Sequence, residues 1–309
     1  MKTLHPKLGP LVQVKGPFVS ALCSFVSFVV KWCMTREWDA SSYHRLSDPQ
    51  YNWGRRVLAR ISPRGDETVI DAGCGTARLT AELATLLPRG RVIGVDLSEN
   101  MLHQAREYIA SGSAGLPSGE PTQSRIGAII RGLIDFVCAD IAGLPFLSVA
   151  DGIFSTAAFH WVGDHDALFR SLFLALKPGG WLIAQCGGGP NLLRLRQQTD
   201  IVMQEMPEFF RGWDPPQNYA TAEQTAARLR HAGFSDVATW LRSEDVHFPD
   251  AGVYREFLAT VTLHAHLKRI PDASLRDRFL DRVVALALQE PALNLDYWRL
   301  NIHARRKSE

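Results

Sequence analysis

Apolar positions along this chain follow two alternating rhythms. Short continuous runs at Thr68–Asp71, Arg91–Asp96, Ile134–Ala139, Gly152–Ser155 and Trp181–Gln185 predict buried strands. Between them the apolar residues return at helical spacing. Thr76–Leu87 places Leu79, Leu83, Leu86 and Leu87 on one stripe before Pro88 and Gly90 end it, and Ser98 stands as N-cap to a helix bearing Met101, Ala105, Tyr108 and Ile109. A helix over His165–Leu176 and a turn at Lys177-Pro178-Gly179-Gly180 precede the fifth strand. Strand and helix in alternation predict an α/β fold, a doubly wound and mostly parallel sheet covered on both faces. Residues 190–290 carry mainly helical patterns, Leu275–Leu288 among them, and the chain closes on the alternating strand NLDYWRLNIHA.

The expected organisation is an N-terminal extension over 1–33, poorly ordered; a core over 34–189; a mainly helical cover over 190–290; and a closing strand and tail over 291–309. The extension holds GPFVSALCSFVSFVV, shorter than the ~20 residues of a bilayer span. It reads as dispensable, with Met34 as an alternative start and a weak membrane anchor or signal as the other reading. Residues 111–131, which open rich in Gly, Ser and Pro, predict a surface insertion.

Composition narrows the function classes. A hydrophobic fraction of 46%, a charged fraction of 21% and a net charge of +2 describe an ordinary globule without the field that nucleic acid requires. The five cysteines are scattered without CxxC spacing, which predicts a reducing cytoplasm and neither disulfides nor zinc. His264 and His266 are two apart and so on different faces of a helix, which argues against a metal site. A small-molecule acceptor, no nucleic acid, no metal, and a monomer or homodimer are expected.

The stretch VIDAGCGTARLT holds the chemistry. A dinucleotide turn reads GxGxxG; here Gly73 and Gly75 fit, but Arg78 stands in place of the third glycine. Asp71, at the strand's end, would repel phosphates and favour a cation. S-adenosylmethionine (SAM), with a sulfonium and an ammonium and no phosphate, removes that conflict. Asp96 at the end of the second strand suits ribose hydroxyls, and Asp140 at the end of the third suits an adenine amine. Each alone is equally a helix cap.

VIDAGCGTARLT, VIGVDLSENML, DFVCADIAGLPF and ALKPGGWLIAQ together resemble the ordered motifs of the class I SAM-dependent methyltransferases over roughly Trp38–Gly187. WDASSYHRLSDPQYNWG, the run Phe159-His160-Trp161-Val162 and LDYWRLNIHARR are similar to the small-molecule carboxyl methyltransferases related to trans-aconitate methyltransferase. The resemblance implies a seven-stranded Rossmann-like sheet with a final antiparallel strand. It places Asp71, Gly73 and Gly75 at the methionine part of SAM, Asp96 and Leu97 at the ribose, Asp140 and Ile141 at the adenine, and His160 and Trp161 beside the methyl.

The implied reaction is O-methylation of a carboxylate. His160 serves as a donor to the acceptor, as a base, or simply as packing. Arg55, Arg56, Arg211 and Arg299 are candidate carboxylate clamps, Arg299 foremost. Tyr43 and Trp53 are read as a lid over the site or as helix-packing aromatics. Methylation of carbon or nitrogen, a NAD-dependent oxidoreductase, and a catalytically idle SAM-binding domain remain as alternatives.

Overall fold

The computed structural model describes residues 48–111 and 132–308. The extension, Tyr43 and most of the 111–131 insertion lie outside them. Helix α1 (Asp48–Leu58) leads into β1 (Thr68–Ala72), α2 (Arg78–Thr85), β2 (Arg91–Asp96), α3 (Glu99–Ala110) and β3 (Ile134–Cys138). There follow β4 (Ala150–Thr156), α4 (His165–Ala175) and β5 (Leu176–Gly187), then α5 (Leu193–Glu205), α6 (Pro207–Phe210), α7 (Ala222–His231) and β6 (Phe234–Ser243). The chain ends through β7 (Val246–His247), α8 (Ala251–Phe257), α9 (His264–Leu267), α10 (Ala273–Ala287), β8 (Asn294–Leu295) and β9 (Trp298–Arg306).

Seven strands form one sheet in the order β3-β2-β1-β4-β5-β9-β6, with β9 antiparallel to both of its neighbours and β7-β8 as a separate small ribbon. The inner parallel strands are mostly apolar because both faces are covered, whereas the edge strand β3 is half-buried and carries Asp135. Successive residues divide between the faces: Ile70 and Ile93 pack with Leu168, Phe169 and Leu172 of α4, while Val69 and Val92 pack with Val57 of α1 and Leu83 of α2. Strand order reverses between β1 and β4, so the carboxyl ends open a crevice there. Ser98 caps α3, its Oγ accepting from Met101 N at 3.2 Å. Gly54 lets α1 approach α2, since a Cβ there would collide with Leu79.

Three expectations change. The Lys177–Gly180 turn is an irregularity within β5, whose pairing with β4 shifts register there. The final strand is broken: Asn294–Leu295 pairs with β7, and the sheet strand begins at Trp298. The segment 190–290 is not one helical cover, because α7 packs on β6 and β6 joins the sheet as its edge. The cover proper is α5, α6 and residues 251–287, which enclose their own core of Leu195, Phe210, Tyr254, Phe257 and Phe279. No helix of the described residues is long and apolar enough to cross a membrane.

His266 lies in that second core, 4% exposed, against Trp213, Phe210 and Phe279, and neither ring nitrogen has a hydrogen-bond partner. Burial lowers its pKa to about 4. The unfolded imidazole takes up its proton near pH 6.5 and the folded one only near 4, so between these values the unfolded chain binds more protons and stability falls as pH falls. His266→Phe should therefore gain on the wild type by up to about 1.4 kcal/mol per pH unit across that window in denaturant titrations. A stability difference independent of pH would count against it.

Candidate active site

The loop after β1 is fixed by backbone geometry. Gly73 (φ +84°) and Gly75 (φ +53°) occupy the left-handed region. A side chain on Gly73 would strike Ala158, whereas one on Gly75 would project into open space in the cleft. The loop's N–H groups are already engaged: Gly73 N and Cys74 N donate to Val95 O at 2.8 and 3.0 Å, and Gly75 N donates to Asp96 Oδ2 at 2.9 Å. They are therefore not arrayed toward a phosphate, as a dinucleotide turn would have them.

Two cavities are lined by this loop, and a third adjoins them at Ala157. The largest, about 360 Å³, is lined by Gly73, Gly75, Asp96, Leu97, Met101, Asp140, Ile141 and Trp161. Its charged wall residues are Asp96, Asp140 and Asp164, with no basic residue among the described lining residues. Asp96 Oδ1 accepts from Ser98 N at 2.9 Å, so Asp96 anchors the loop as well as facing the cavity. Asp140 caps the turn Ile141–Gly143, its Oδ1 accepting from Ala142 N at 2.8 Å.

A second cavity, about 70 Å³, brings Asp71 and Arg78 together with Gln50, Tyr51, Gly73, Gly75 and Thr76. Asp71 is 2% exposed, and its Oδ2 accepts from Thr80 Oγ1 at 2.7 Å. Burial pushes its pKa up to about 7; the Thr80 hydroxyl opposes the rise and the charge of Asp96 adds to it.

The third cavity, about 40 Å³, is lined by Gln50, His160, Trp161, Asn191, Gln217, Tyr219, Thr262 and Arg299, with no acid among the described lining residues. Arg299 is 2% exposed, its guanidinium carbon 4.7 Å from the centre of the Trp53 ring and its Nε 3.5 Å from Gln185 Oε1. His160 Nδ1 accepts from Gly187 N at 3.3 Å. A backbone N–H can only donate, so the neutral ring carries its hydrogen on Nε2. His160 stacks on Tyr219 at 5.7 Å. Burial raises the Tyr219 phenol to about 12, against the opposing effects of Asn191, Arg299 and Arg196.

Ala157 lines all three cavities and holds a left-handed φ of +55°, a strained backbone of the kind concentrated at functional sites. Thr262 and Val261, on the acceptor-side wall, belong to a π-helical turn over Leu258–Thr262.

A methyltransferase domain family matches residues 70–184. The chain is 31% identical over 216 residues to trans-aconitate 2-methyltransferase of Paracidovorax citrulli, covering 68% of this chain and 71% of that protein. It is 32% identical over 256 residues to the Deinococcus radiodurans protein of the same name, covering 79% and 87%. The chain belongs to the trans-aconitate methyltransferase family of class I SAM-dependent methyltransferases. Its fold is similar to the YcgJ protein of Bacillus subtilis, with a TM-score of 0.55 at 13% identity over 84% of this chain and 100% of that one. It is also similar to phosphoethanolamine N-methyltransferase 2 of Haemonchus contortus, with a TM-score of 0.52 at 20% identity over 92% and 60%.

SAM is thus the cofactor of this methyltransferase, and the chemistry of the walls fits it. The large cavity is acidic and phosphate-averse, and the second pairs an acid with an arginine, as a zwitterionic end would need. Of the candidate clamps, only Arg299 lines the third cavity. Arg55 and Arg56 instead pair with Glu82 at 3.1 Å and Glu244 at 2.7 Å, and Arg211 is exposed and lines none of the three cavities. Trp53 is no lid: it is buried edge-on against Tyr297, 4.9 Å between ring centres, beneath Arg299. His264 faces Trp161 at 5.5 Å, away from the aromatic cluster around His266. Gln50, Asn191, Gln217 and Tyr219 join the walls without having been singled out in the sequence, because they sit in a first helical turn and in loops that carry no periodicity.

With Asp71 expected at the cationic end of SAM, its raised pKa predicts pH-dependent binding. A cationic ligand favours the ionised carboxylate, so SAM affinity should be level above about pH 7 and fall toward tenfold per unit below it. Calorimetry over that range checks this, with Asp71→Asn expected to flatten the profile. Equal wild-type affinities on both sides of pH 7 would refute it.

Proposed function

We propose that this enzyme transfers the SAM methyl group to a carboxylate oxygen of a small acid, giving a methyl ester. The observation that carries the reading is that the acceptor-side chamber offers donors and a cation but no base among the described residues. His160 presents Nε2–H, Tyr219 keeps its phenol proton far above neutral pH, and Arg299 is permanently charged. A hydroxyl or amine acceptor needs a proton acceptor, while a carboxylate arrives already anionic. SAM, when bound, supplies the electrophilic methyl. The protein's part is to hold the acceptor and exclude water.

In this reading Arg299 holds a carboxylate of the acceptor and His160 Nε2–H orients the reacting oxygen. Trp161, which lines both the large cavity and the acceptor chamber, forms the wall between them. Asp71, Gly73 and Gly75 serve the methionine end, Asp96 and Leu97 the ribose, and Asp140 and Ile141 the adenine. The chain's similarity to trans-aconitate 2-methyltransferases makes trans-aconitate the first acid to assay.

The test is transfer from methyl-tritiated SAM to a panel of carboxylic acids, followed by alkaline hydrolysis. Ester label should be released as methanol. Turnover should fall by ~10²-fold or more in His160→Ala with SAM affinity nearly unchanged, and Arg299→Gln should chiefly raise the acceptor KM. Alkali-stable label on nitrogen or carbon would overturn the reading, and full activity in the His160 variant would leave that residue only its packing role.

A further inference from the structure

Gln50 occupies the first turn of α1, and its side chain lines both the Asp71 cavity and the acceptor chamber. Its Oε1 is buried and has no hydrogen-bond partner. A buried carbonyl left without a donor is destabilising to the free enzyme, and such atoms in native proteins call for an explanation. The helix does not let it swing away. Arg78 pins the turn by pairing with Asp48 at 3.0 Å and covering the Tyr51 ring at 4.0 Å, and Arg55 and Tyr51 both bond Glu82. Trp53 seats the next turn against Tyr297. The carbonyl is thus held at the wall shared by the amino-acid end of the cofactor site and the acceptor chamber.

None of the chamber's own donors bonds this oxygen, and few ligand donors can reach it. The adenine amine and ribose hydroxyls belong to the large cavity, which Gln50 does not line. A carboxylate acceptor brings no donor, a step that rests on the reading above. The cofactor's own carboxylate has none, and its methyl hydrogens are weak ones. We infer that Gln50 Oε1 accepts a hydrogen bond from the ammonium group of SAM, making α1 part of the cofactor site beside Asp71. The amide is suited to this place: a second carboxylate there would add to the repulsion that Asp71 already receives from Asp96, whereas a neutral carbonyl gives the ammonium an acceptor without another buried charge.

The test is ligand binding by calorimetry without any acceptor present, so that failure of the carboxylate reading and failure of this one are told apart. Gln50→Leu removes the acceptor atom at similar volume. Its affinity for S-adenosylhomocysteine and for decarboxylated SAM, which both keep the amine, should fall by about tenfold or more, while that for 5′-methylthioadenosine, which lacks the whole amino-acid end, stays unchanged. The ligand-free variant should melt no lower than the wild type, and Gln50→Glu, which keeps an acceptor, should retain binding. Three results would overturn the inference. One is unchanged S-adenosylhomocysteine affinity, including the case in which only the acceptor KM rises. Another is equal weakening of 5′-methylthioadenosine, the mark of a merely structural role. The third is weakening of S-adenosylhomocysteine with decarboxylated SAM unaffected, which would place the side-chain amide on the cofactor's carboxylate instead.

Discussion

Two carboxylates at the ends of adjacent parallel strands set the terms for the rest of the molecule. Asp71 closes the buried run of β1 and Asp96 closes β2, and each raises the cost of the other's charge. The fold makes this tolerable by giving Thr80 to Asp71 and the N–H groups of Gly75 and Ser98 to Asp96. What remains is a negative field at the topological switch point, at the place where a parallel sheet opens its crevice. A phosphate would meet that field as repulsion, and a ligand bearing a cation relieves it. The glycine loop is bent by the same bonds, since the N–H that Asp96 takes from Gly75 is one a pyrophosphate would have needed.

From that centre the charge is sorted by chamber. The large cavity carries acids without bases, the Asp71 cavity carries one of each, and the acceptor chamber carries Arg299 without an acid among its described walls. Such sorting is what the proposed reaction needs, in which a cationic donor and an anionic acceptor approach each other through walls that favour each in its own place. The strained Ala157 stands where the three meet. A left-handed alanine costs energy that a packed sheet end can hold, and the chain that follows it, from Ala158 to Asp164, goes on to line the cavities.

The sheet was legible because strands covered on both faces leave unbroken apolar runs, and three acids at three strand ends marked the ligand edge. β6 was not legible. Its alternation of half-buried and exposed positions is that of an edge strand, and it sits amid helical patterns. The acceptor chamber was legible only at His160, Trp161 and Arg299. Gln50, Asn191 and Tyr219 come from segments far apart in sequence, and only tertiary packing puts them on one wall. Among the lysines and arginines of the described residues, burial is what distinguishes Arg299, and burial is a property of the folded sheet. One signal was present: an arginine opening the polar register Arg299, Asn301, His303 and Arg305 of a strand whose other register is Trp298, Leu300, Ile302 and Ala304.

That arginine reaches the site through the direction of its strand. β9 runs antiparallel between β5 and β6, so its first residues meet the last residues of β5, at the same edge of the sheet as Asp71 and Asp96. The register pairs Arg299 with Gly187, and Gly187 N is the donor that fixes the His160 ring. Gln185, two residues earlier on β5, takes the Arg299 Nε and also donates to Asn301, which in turn accepts from Arg60. Two of the polar groups lining the acceptor chamber, His160 and Arg299, are therefore set by one ladder, although 139 positions separate them in the chain (299 − 160). Because side chains alternate across a sheet, a slip of one residue would carry Arg299 to the opposite face and leave Trp298 or Leu300 in its place. The break that ends β8 at Leu295 and starts β9 at Trp298 is where that register is established, and Asn191 secures it by accepting from Trp298 N at 2.9 Å while lining the chamber itself. Under the proposed reading, specificity for the acceptor and closure of the sheet are one structural problem, solved at the same few residues.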